Sequence, residues 1–256
     1  GVSLANRGPQ VELAVPDEVT ALVLRVRSPP TEVDLERLRA IEAAWPVRLY
    51  LQSGGPDSIV PLDGDSGPLS YSLPDHDLRI AFEPTDFVQV NARINEAMIT
   101  QAIRLLGAGT GTTVLDLYSG LGNFSLPLAR LAKQVVGVEG DPGLVERARG
   151  NARDNGLGNA SFHVADLATD CSALPWAGRR YDAVLLDPPR AGAEQVLGVI
   201  AASGAPRVVY VSCNPRTLAR DAGRLVHEHG FRLAAAGMMD LFPHTIHSEA
   251  MALFER

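Results

Sequence analysis

The pattern of apolar and polar positions becomes regular near residue 113. From Thr113 onward, short apolar runs alternate with amphipathic segments, which is typical of strands and helices in succession. This alternation predicts an α/β fold in which helices cover both faces of a parallel sheet. The strands are expected at residues 113–117, 134–138, 160–164, 183–186, 207–211, 231–238 and 251–254.

The first part of the chain predicts a smaller α+β unit. Residues 11–52 have the pattern of strand, strand, helix and strand, and Thr31 with Asp34 resembles a capping box at the start of the helix. Gly, Pro, Asp and Ser are dense in residues 53–84, which favours hairpins and loops.

An amphipathic helix is expected from the residues after Asn91 through Leu106. We therefore predict two domains: a small α+β domain with a hairpin linker at residues 1–84, and an α/β domain at residues 85–256.

Composition narrows the class of protein. The chain has 256 residues, 46% of them apolar, and can fill a sizeable core. No apolar run reaches the length of about 18 residues that a membrane span requires, and residues 1–10 lack a targeting pattern. A soluble, cytoplasmic protein without a membrane partner is expected.

The net charge of -7 is unevenly distributed. Residues 1–91 hold 7 basic and 14 acidic side chains, whereas residues 92–256 hold 16 of each. Arginines such as Arg216, Arg220 and Arg224 are candidates for phosphate contacts. The acidic balance therefore does not exclude an RNA partner.

Two cysteines, Cys171 and Cys213, are too few for a disulfide framework and form no CxxC or Cys/His cluster. No metal or iron-sulfur cluster is expected in this chain. A lone buried cysteine is usually inert, and Cys171 lies outside every motif. Cys213 differs because it follows a predicted strand in the sequence Ser-Cys-Asn-Pro.

A glycine turn and a series of carboxylates predict a nucleotide-like cofactor. The first strand of the regular part runs into a GxG turn at Gly120 and Gly122, and the second strand ends at Glu139, at the spacing where an acidic side chain meets ribose hydroxyls. The next two strands lead to Asp166 and Asp187. A GxG turn alone is weak evidence, since any tight strand-to-helix turn can have one.

The choice of cofactor depends on a third glycine. The dinucleotide fingerprint GxGxxG would place it at residue 126, which is Leu126. This favours S-adenosyl-L-methionine (SAM) over a dinucleotide.

Several long motifs, in the same order, resemble the RNA uracil-C5 methyltransferases, which make 5-methyluridine in tRNA and ribosomal RNA. The motifs are DFVQVN at 86–91, DLYSGLGNFSLPLA at 116–129, LLDPPRAGA at 185–193, VYVSCNPRTLARD at 209–221 and MDLFPHTIHSEAM at 239–251. Within the family, the chain looks most like the subgroup that acts on bacterial 23S ribosomal RNA.

The resemblance implies a fold, a reaction and a set of residues. The fold is a Rossmann-like SAM-dependent methyltransferase fold, with an antiparallel C-terminal strand, preceded by a small α+β domain. The reaction is methylation of uracil C5 in RNA through a covalent adduct between a cysteine and C6, with 23S ribosomal RNA as the partner and no obligate protein partner evident. Cys213 would be the nucleophile and Glu249 the base that removes the C5 proton. The cofactor-binding residues would be Gln89, Tyr118, Asn123, Glu139, Asp166 and Asp187.

The chain also departs from the family. Members of the 23S type often have an N-terminal oligonucleotide-binding-like barrel and four cysteines for a 4Fe-4S cluster, and this sequence contains neither. A fragment or a natural variant is therefore expected.

Other functions remain open from the sequence. They are a tRNA uridine or RNA cytosine C5 methyltransferase, an amino-group methyltransferase, which needs no cysteine nucleophile, and a non-catalytic RNA-binding methyltransferase-like module. Cytosine enzymes typically have a second cysteine near the Asp-Pro-Pro motif, which is absent here.

Overall fold

The computed structural model describes residues 10–64, 67–240 and 248–256. The chain divides into two compact units: the described residues of Gly1–Ser72 with Arg79–Val88, and those of Leu73–Leu78 with Gln89–Arg256. The division into domains at 1–84 and 85–256 stays a prediction, because a compact unit need not fold as an independent domain. None of the described helices combines the length and apolar content needed to cross a bilayer.

The first unit is built on a four-stranded sheet with the order β1-β2-β3-β4. Strands β2 and β3 are parallel and are joined by helix α1, whereas the two outer pairings are antiparallel. The elements of this sheet are β1 Gln10–Ala14, β2 Thr20–Arg25, α1 Glu32–Ala44, β3 Val47–Gln52 and β4 Ile59–Pro61. A two-stranded sheet follows, formed by β5 Leu69–Leu73 and β6 Leu78–Phe82.

Helix α1 begins at the predicted capping box. The side chain of Thr31 accepts a hydrogen bond from the backbone N–H of Asp34, and the Asp34 carboxylate accepts one from the N–H of Thr31. Leu38 then packs with Leu49 in a small core. The apolar periodicity does not extend to the end of the helix, since Trp45 is the C-cap and is 67% exposed.

The second unit contains a seven-stranded sheet with the order β12-β13-β11-β10-β7-β8-β9. Its strands are β7 Thr113–Leu117, β8 Gln134–Glu139, β9 Ala160–Val164, β10 Ala183–Leu186, β11 Arg207–Ser212, β12 Arg232–Met239 and β13 Glu249–Glu255. Its helices are α2 Ala92–Leu106, α3 Ser125–Leu131, α4 Pro142–Asp154, α5 Leu197–Ala202 and α6 Pro215–His227.

The five adjacent strands β11-β10-β7-β8-β9 are parallel, and β13 is antiparallel to β11, so the predicted fold class is confirmed. The strands inside the sheet bury side chains on both faces. In β11, Val208 and Tyr210 belong to the core cluster that contains Leu225, and Val209, which points to the opposite face, is equally buried. Such nearly continuous apolar runs are what a parallel sheet covered on both faces requires.

The order of the strands fixes where a ligand can bind. The chain passes from β7 to β8 and β9 on one side, then returns to β10 on the other side of β7. Ligands of open α/β sheets bind beyond the carboxyl ends of the strands at such a reversal. The carboxyl ends of β7 and β10, at Leu117 and Leu186, are therefore the expected centre of a site.

Strand β13 begins earlier than predicted. The sequence placed the strand at 251–254, but its first residue is Glu249. The pairing of β13 with both β11 and β12 extends the strand beyond its most apolar residues. Glu249 therefore belongs to the sheet rather than to the segment before it.

Candidate active site

The glycine turn after β7 has an unusual backbone. Gly120 and Gly122 have φ of 52° and 92°, and a Cβ on Gly122 would lie 2.9 Å from Cγ of Leu126. A Cβ on Gly120 would meet nothing within 4 Å, so the turn opens onto free space at this residue. Tyr118 also has a positive φ, 63°, which is strained for a residue with a side chain and is a feature that clusters at ligand sites.

Glu139 is fixed to this turn by backbone N–H groups. Its Oε2 accepts a hydrogen bond from Gly120 N at 3.1 Å, and its Oε1 accepts bonds from Gly140 N at 2.6 Å and Asp141 N at 3.1 Å. Both oxygens are therefore held in one orientation at the end of β8, and the carboxylate keeps a lone pair for a ligand hydroxyl.

A cleft of about 380 Å³ lies beside these residues. Three of the predicted cofactor residues line it, namely Tyr118, Glu139 and Asp166. Asp166 is exposed, and its Oδ1 accepts a hydrogen bond from Ala168 N at 3.0 Å. The other lining residues are Gly140, Leu167, Ala168, Pro189, Ala191, Gly192, Glu194, Gln195 and Arg220. The volume is within the range of small-molecule sites.

Cys213 and Glu249 meet through the register of two strands. Cys213 follows the last residue of β11 and precedes Asn214, whose side chain caps α6 by accepting a hydrogen bond from Arg216 N at 3.1 Å. Ser212 pairs with Ala250 of β13. Because β11 and β13 are antiparallel, the neighbours of this pair at the same end of the two strands are Cys213, which follows Ser212, and Glu249, which precedes Ala250.

Two carboxyl groups at this edge, Glu249 and Asp187, have raised pKa values. Glu249 is 5% exposed, and burial, assisted by the charge of Asp187, raises its pKa to about 8. Burial also raises the pKa of Asp187 to about 7. Near neutral pH this pocket therefore favours protonated carboxyl groups, a property common at functional sites.

The thiol of Cys213 is half-buried and is affected by charges of both signs. Burial and the charge of Glu249 raise its pKa, whereas a hydrogen bond with Arg190 lowers it. Arg190 is therefore the group in this pocket that favours the thiolate.

Asp116 is a buried carboxyl group just before the glycine turn, and it was not among the site residues predicted from the sequence. It is 1% exposed and is the second-last residue of β7. Burial raises its pKa to about 7, although a hydrogen bond donated by Ser125 acts in the opposite direction. Asp116 Oδ1 and Ser119 Oγ are buried without a hydrogen-bond partner among the described residues. The signal available in the sequence was an aspartate inside the apolar run VLDL, because charged residues are rarely buried unless they are paired or have a function.

Three of the predicted cofactor residues, Gln89, Asn123 and Asp187, do not line the cleft. Asn123 exchanges two amide hydrogen bonds with Asn95, at 2.8 and 2.9 Å, and Asn95 is 3% exposed. Gln89 is half-buried, two residues before Asn91, the N-cap of α2. Their role toward a cofactor stays a prediction.

Part of the last motif lies outside the described residues. This part is residues 241–247, which include His244 and His247.

Comparison with known proteins decides the family. The family model described as tRNA (Uracil-5-)-methyltransferase matches residues 62–256. The 23S rRNA (uracil(1939)-C(5))-methyltransferase RlmD of Alkalilimnicola ehrlichii is 53% identical over the whole chain. The chain belongs to this methyltransferase family. The RlmD of Methylococcus capsulatus is a second relative, 52% identical.

The family members in these comparisons are longer proteins. The chain spans 58% of the length of both RlmD relatives. Among solved structures, Pyrococcus abyssi tRNA (uracil-54, C5)-methyltransferase in complex with S-adenosyl-L-homocysteine matches 93% of this chain and 57% of its own, with a TM-score of 0.70 and 24% identity. This likeness supports the methyltransferase fold of the second unit.

Proposed function

We propose that the chain catalyses SAM-dependent methylation of uracil C5 in RNA, with 23S ribosomal RNA as the substrate and Cys213 as the nucleophile. The observation that carries the proposal is the strand register that brings Cys213 and Glu249 together at the edge of the sheet. The glycine turn held by Glu139 lies at the carboxyl ends of the same sheet. Family membership and the RlmD relatives support uracil and ribosomal RNA as the substrate.

The residues of the cleft suit SAM. The fixed carboxylate of Glu139 can accept hydrogen bonds from ribose hydroxyls, and Asp166 can accept one from an adenine amino group. The unpartnered Asp116 Oδ1 and Ser119 Oγ add buried polar atoms near the turn that a polar ligand could satisfy. When bound, SAM supplies an electrophilic methyl group on a positively charged sulfur.

The covalent step overcomes the weak nucleophilicity of uracil C5. The Cys213 thiol loses its proton, and the thiolate forms a bond to C6, so that the electron pair of the C5–C6 double bond moves toward C5 and the O4 carbonyl. C5 then forms a bond to the methyl group while the bond between that methyl group and the SAM sulfur breaks, which leaves S-adenosyl-L-homocysteine. The C5 proton leaves to a base, the C5–C6 double bond returns, and the thiolate is eliminated. The net change is replacement of one C5 hydrogen by methyl and release of a proton.

Glu249 is the proposed base for the C5 proton. A pKa raised to about 8 makes its carboxylate a stronger proton acceptor than an ordinary glutamate. Ser212 pairs with Ala250, and Cys213 and Glu249 are the neighbours of this pair at the same end of the two strands, which supports a role for Glu249 beside the proposed adduct. Arg190 stabilises the thiolate, both before addition and after elimination.

The RNA must present an unstacked base to this pocket, which is easiest in an unpaired segment. The arginines of α6 divide into two groups. Arg220 and Arg224 form ion pairs with Glu194. Arg216, one turn from Cys213, is exposed and has no ion pair in the described part of the chain. Arg216 is therefore our candidate on this helix for a contact to an RNA phosphate.

Trapping with 5-fluorouridine RNA tests the proposal. Fluorine at C5 cannot leave as a proton, so the methylated adduct accumulates and is detected by intact mass and gel mobility. We expect an adduct that depends on SAM for the wild type and for Cys171→Ala, the matched cysteine control, and none for Cys213→Ala. Absence of a wild-type adduct, despite measured binding of SAM and RNA, would refute the proposed mechanism.

A tRNA uridine is the second candidate substrate. It is favoured by the description of the family model and by the likeness to a tRNA methyltransferase of known structure. Incubation with tritiated SAM and equal amounts of 23S rRNA fragments and total tRNA distinguishes the two substrates by the RNA that becomes labelled. A further RNA in which cytosine replaces the target uracil tests the cytosine alternative. Label confined to tRNA would overturn the ribosomal RNA assignment and leave the uracil chemistry intact.

A further inference from the structure

The loop at residues 190–193 is held by side chains of α6. Asn214 Nδ2 and Thr217 Oγ1 donate hydrogen bonds to the carbonyl oxygen of Arg190, at 2.9 and 3.2 Å. Arg220 Nη2 donates to the carbonyl oxygen of Ala191 at 3.0 Å. These residues are spaced by three along α6 and its N-cap, and so lie on one face of the helix. The backbone of the loop is thus attached to the helix that begins beside Cys213.

Gly192 allows the loop to approach the helix closely. It has a φ of 84°, and a Cβ at this position would lie 2.5 Å from Arg220 Nη2 and 2.6 Å from Asp221 Oδ2. Both the backbone conformation and the available space therefore require glycine.

Asp221 joins the loop, the helix and strand β11. Its side chain is completely buried. Oδ2 accepts hydrogen bonds from Tyr210 Oη and from Ala193 N, both at 2.7 Å, and Oδ1 accepts one from Arg220 Nε at 2.8 Å. A buried charge is costly unless it is paired and hydrogen-bonded, so the carboxylate requires these three donors to stay in place.

The loop contributes residues both to the wall of the cleft and to the surroundings of the Cys213 thiol. Ala191 and Gly192 line the cleft together with Arg220. The carbonyl oxygen of Arg190 is bonded to Asn214, the residue after Cys213, and the Arg190 side chain lowers the pKa of the Cys213 thiol. A shift of the loop would therefore change the distance between Arg190 and the thiol and would also change the wall of the cleft.

We propose that Asp221 is a positioning residue, whose buried carboxylate fixes the 190–193 loop against α6 and β11 and thereby holds Arg190 beside the Cys213 thiol. The inference rests on the proposed role of Cys213 as the nucleophile. Asp221 does not itself touch the thiol; it acts through Arg190.

The test measures the reactivity of Cys213 with iodoacetamide as a function of pH, followed by peptide mass spectrometry. The groups that affect this thiol are Glu249, Asp187 and Arg190. In Asp221→Asn the amide nitrogen cannot accept a hydrogen bond, so the bond from Arg220 or the bond from the loop N–H of Ala193 is lost, and the loop is held less firmly. We expect alkylation near pH 8 to be about tenfold slower, which corresponds to a thiol pKa about one unit higher.

A double-mutant cycle with Arg190→Met separates positioning from general destabilisation. If Asp221 acts through Arg190, Asp221→Asn slows alkylation in the wild type and has no further effect in Arg190→Met. Equal effects in both backgrounds would overturn the inference. The inference would also be overturned if Asp221→Asn lowered the melting temperature while the alkylation rate of the folded protein stayed unchanged or increased at each pH. That result is expected for a purely structural role.

Tyr210→Phe provides a milder variant if Asp221→Asn does not fold. It removes one of the donors to Asp221 and should slow alkylation about threefold, in line with the loss of part of one hydrogen bond. An unchanged rate would count against the positioning role. Alkylation requires neither RNA nor SAM, so failure of the RNA adduct would refute the proposed function without deciding this inference.

Discussion

Replacing Glu249 by glutamine should change how the stability of the protein depends on pH. Glu249 is 5% exposed, and burial with the nearby charge of Asp187 raises its pKa from 4.5 to about 8. Between these pH values the folded state binds a proton that the unfolded state releases. The stability of the wild type therefore falls as pH rises through this window, and it is highest, with respect to this group, below about pH 4.5.

The magnitude follows from the shift in pKa. Each pKa unit corresponds to about 1.36 kcal/mol, so ionisable Glu249 lowers the free energy of unfolding by about 3 kcal/mol at pH 7 and about 5 kcal/mol at pH 9. Glutamine keeps the shape of the side chain and takes up no proton. The stability of Glu249→Gln relative to the wild type should therefore increase by about 4 kcal/mol between pH 5 and pH 9.

Urea unfolding at pH 5 and pH 9 measures this difference for the wild type and Glu249→Gln. Glu36→Gln, a change of an exposed side chain on α1, is the matched control and should behave as the wild type. Parallel pH profiles for Glu249→Gln and the wild type would refute the reasoning. If Glu249 is also the base, Glu249→Gln should accumulate the methylated covalent adduct with ordinary uridine RNA.

Three further substitutions test single contacts. Gly192→Ala should lower the free energy of unfolding by about 2 kcal/mol or more because of its positive φ and close contacts, whereas Gly223→Ala, inside α6 with open space around it, should raise it by about 0.5–1 kcal/mol. Asn95→Ala removes the amide pair with Asn123 and should weaken SAM binding about fivefold to tenfold by calorimetry. Thr31→Ala removes the cap of α1 and should cost about 1 kcal/mol in urea unfolding.

Each of these has a contrary outcome. Equal stability of the two alanine variants in the glycine pair would show that the loop adapts. Unchanged SAM affinity in Asn95→Ala would mean that Asn123 does not depend on its partner. An unchanged urea midpoint in Thr31→Ala would mean that tertiary contacts hold the start of the helix.

Much of the sheet was predictable because buried parallel strands have nearly continuous apolar runs. Residues 113–117, 160–164 and 183–186 were predicted with the bounds that the structure has. The start of β13 was missed, since Glu249 is charged and local pattern does not reveal a buried carboxylate. Its inclusion in the sheet depends on pairing with β11 and β12, which is a tertiary effect.

For the site, the motifs predicted which residues lie at the strand ends, but not how they are held. Nothing in the sequence indicates that Asn123 pairs with Asn95, or that Asp221 accepts hydrogen bonds from three parts of the unit. Arg220 and Arg224 were candidates for phosphate, yet both are paired with Glu194. Local spacing cannot predict such pairing, because Glu194 is 30 residues from Arg224 along the chain.

The position of β13 between β11 and β12 has a consequence for folding during synthesis. Strand β12 is made first, but its ladder partner is β13, so until residues 249–255 are available β12 and the buried edge of β11 both lack a partner. Unpaired apolar edges promote association between chains. A nascent chain that pauses before Glu249 is therefore expected to need chaperone protection, and the same strand that closes the sheet delivers the proposed base to the pocket.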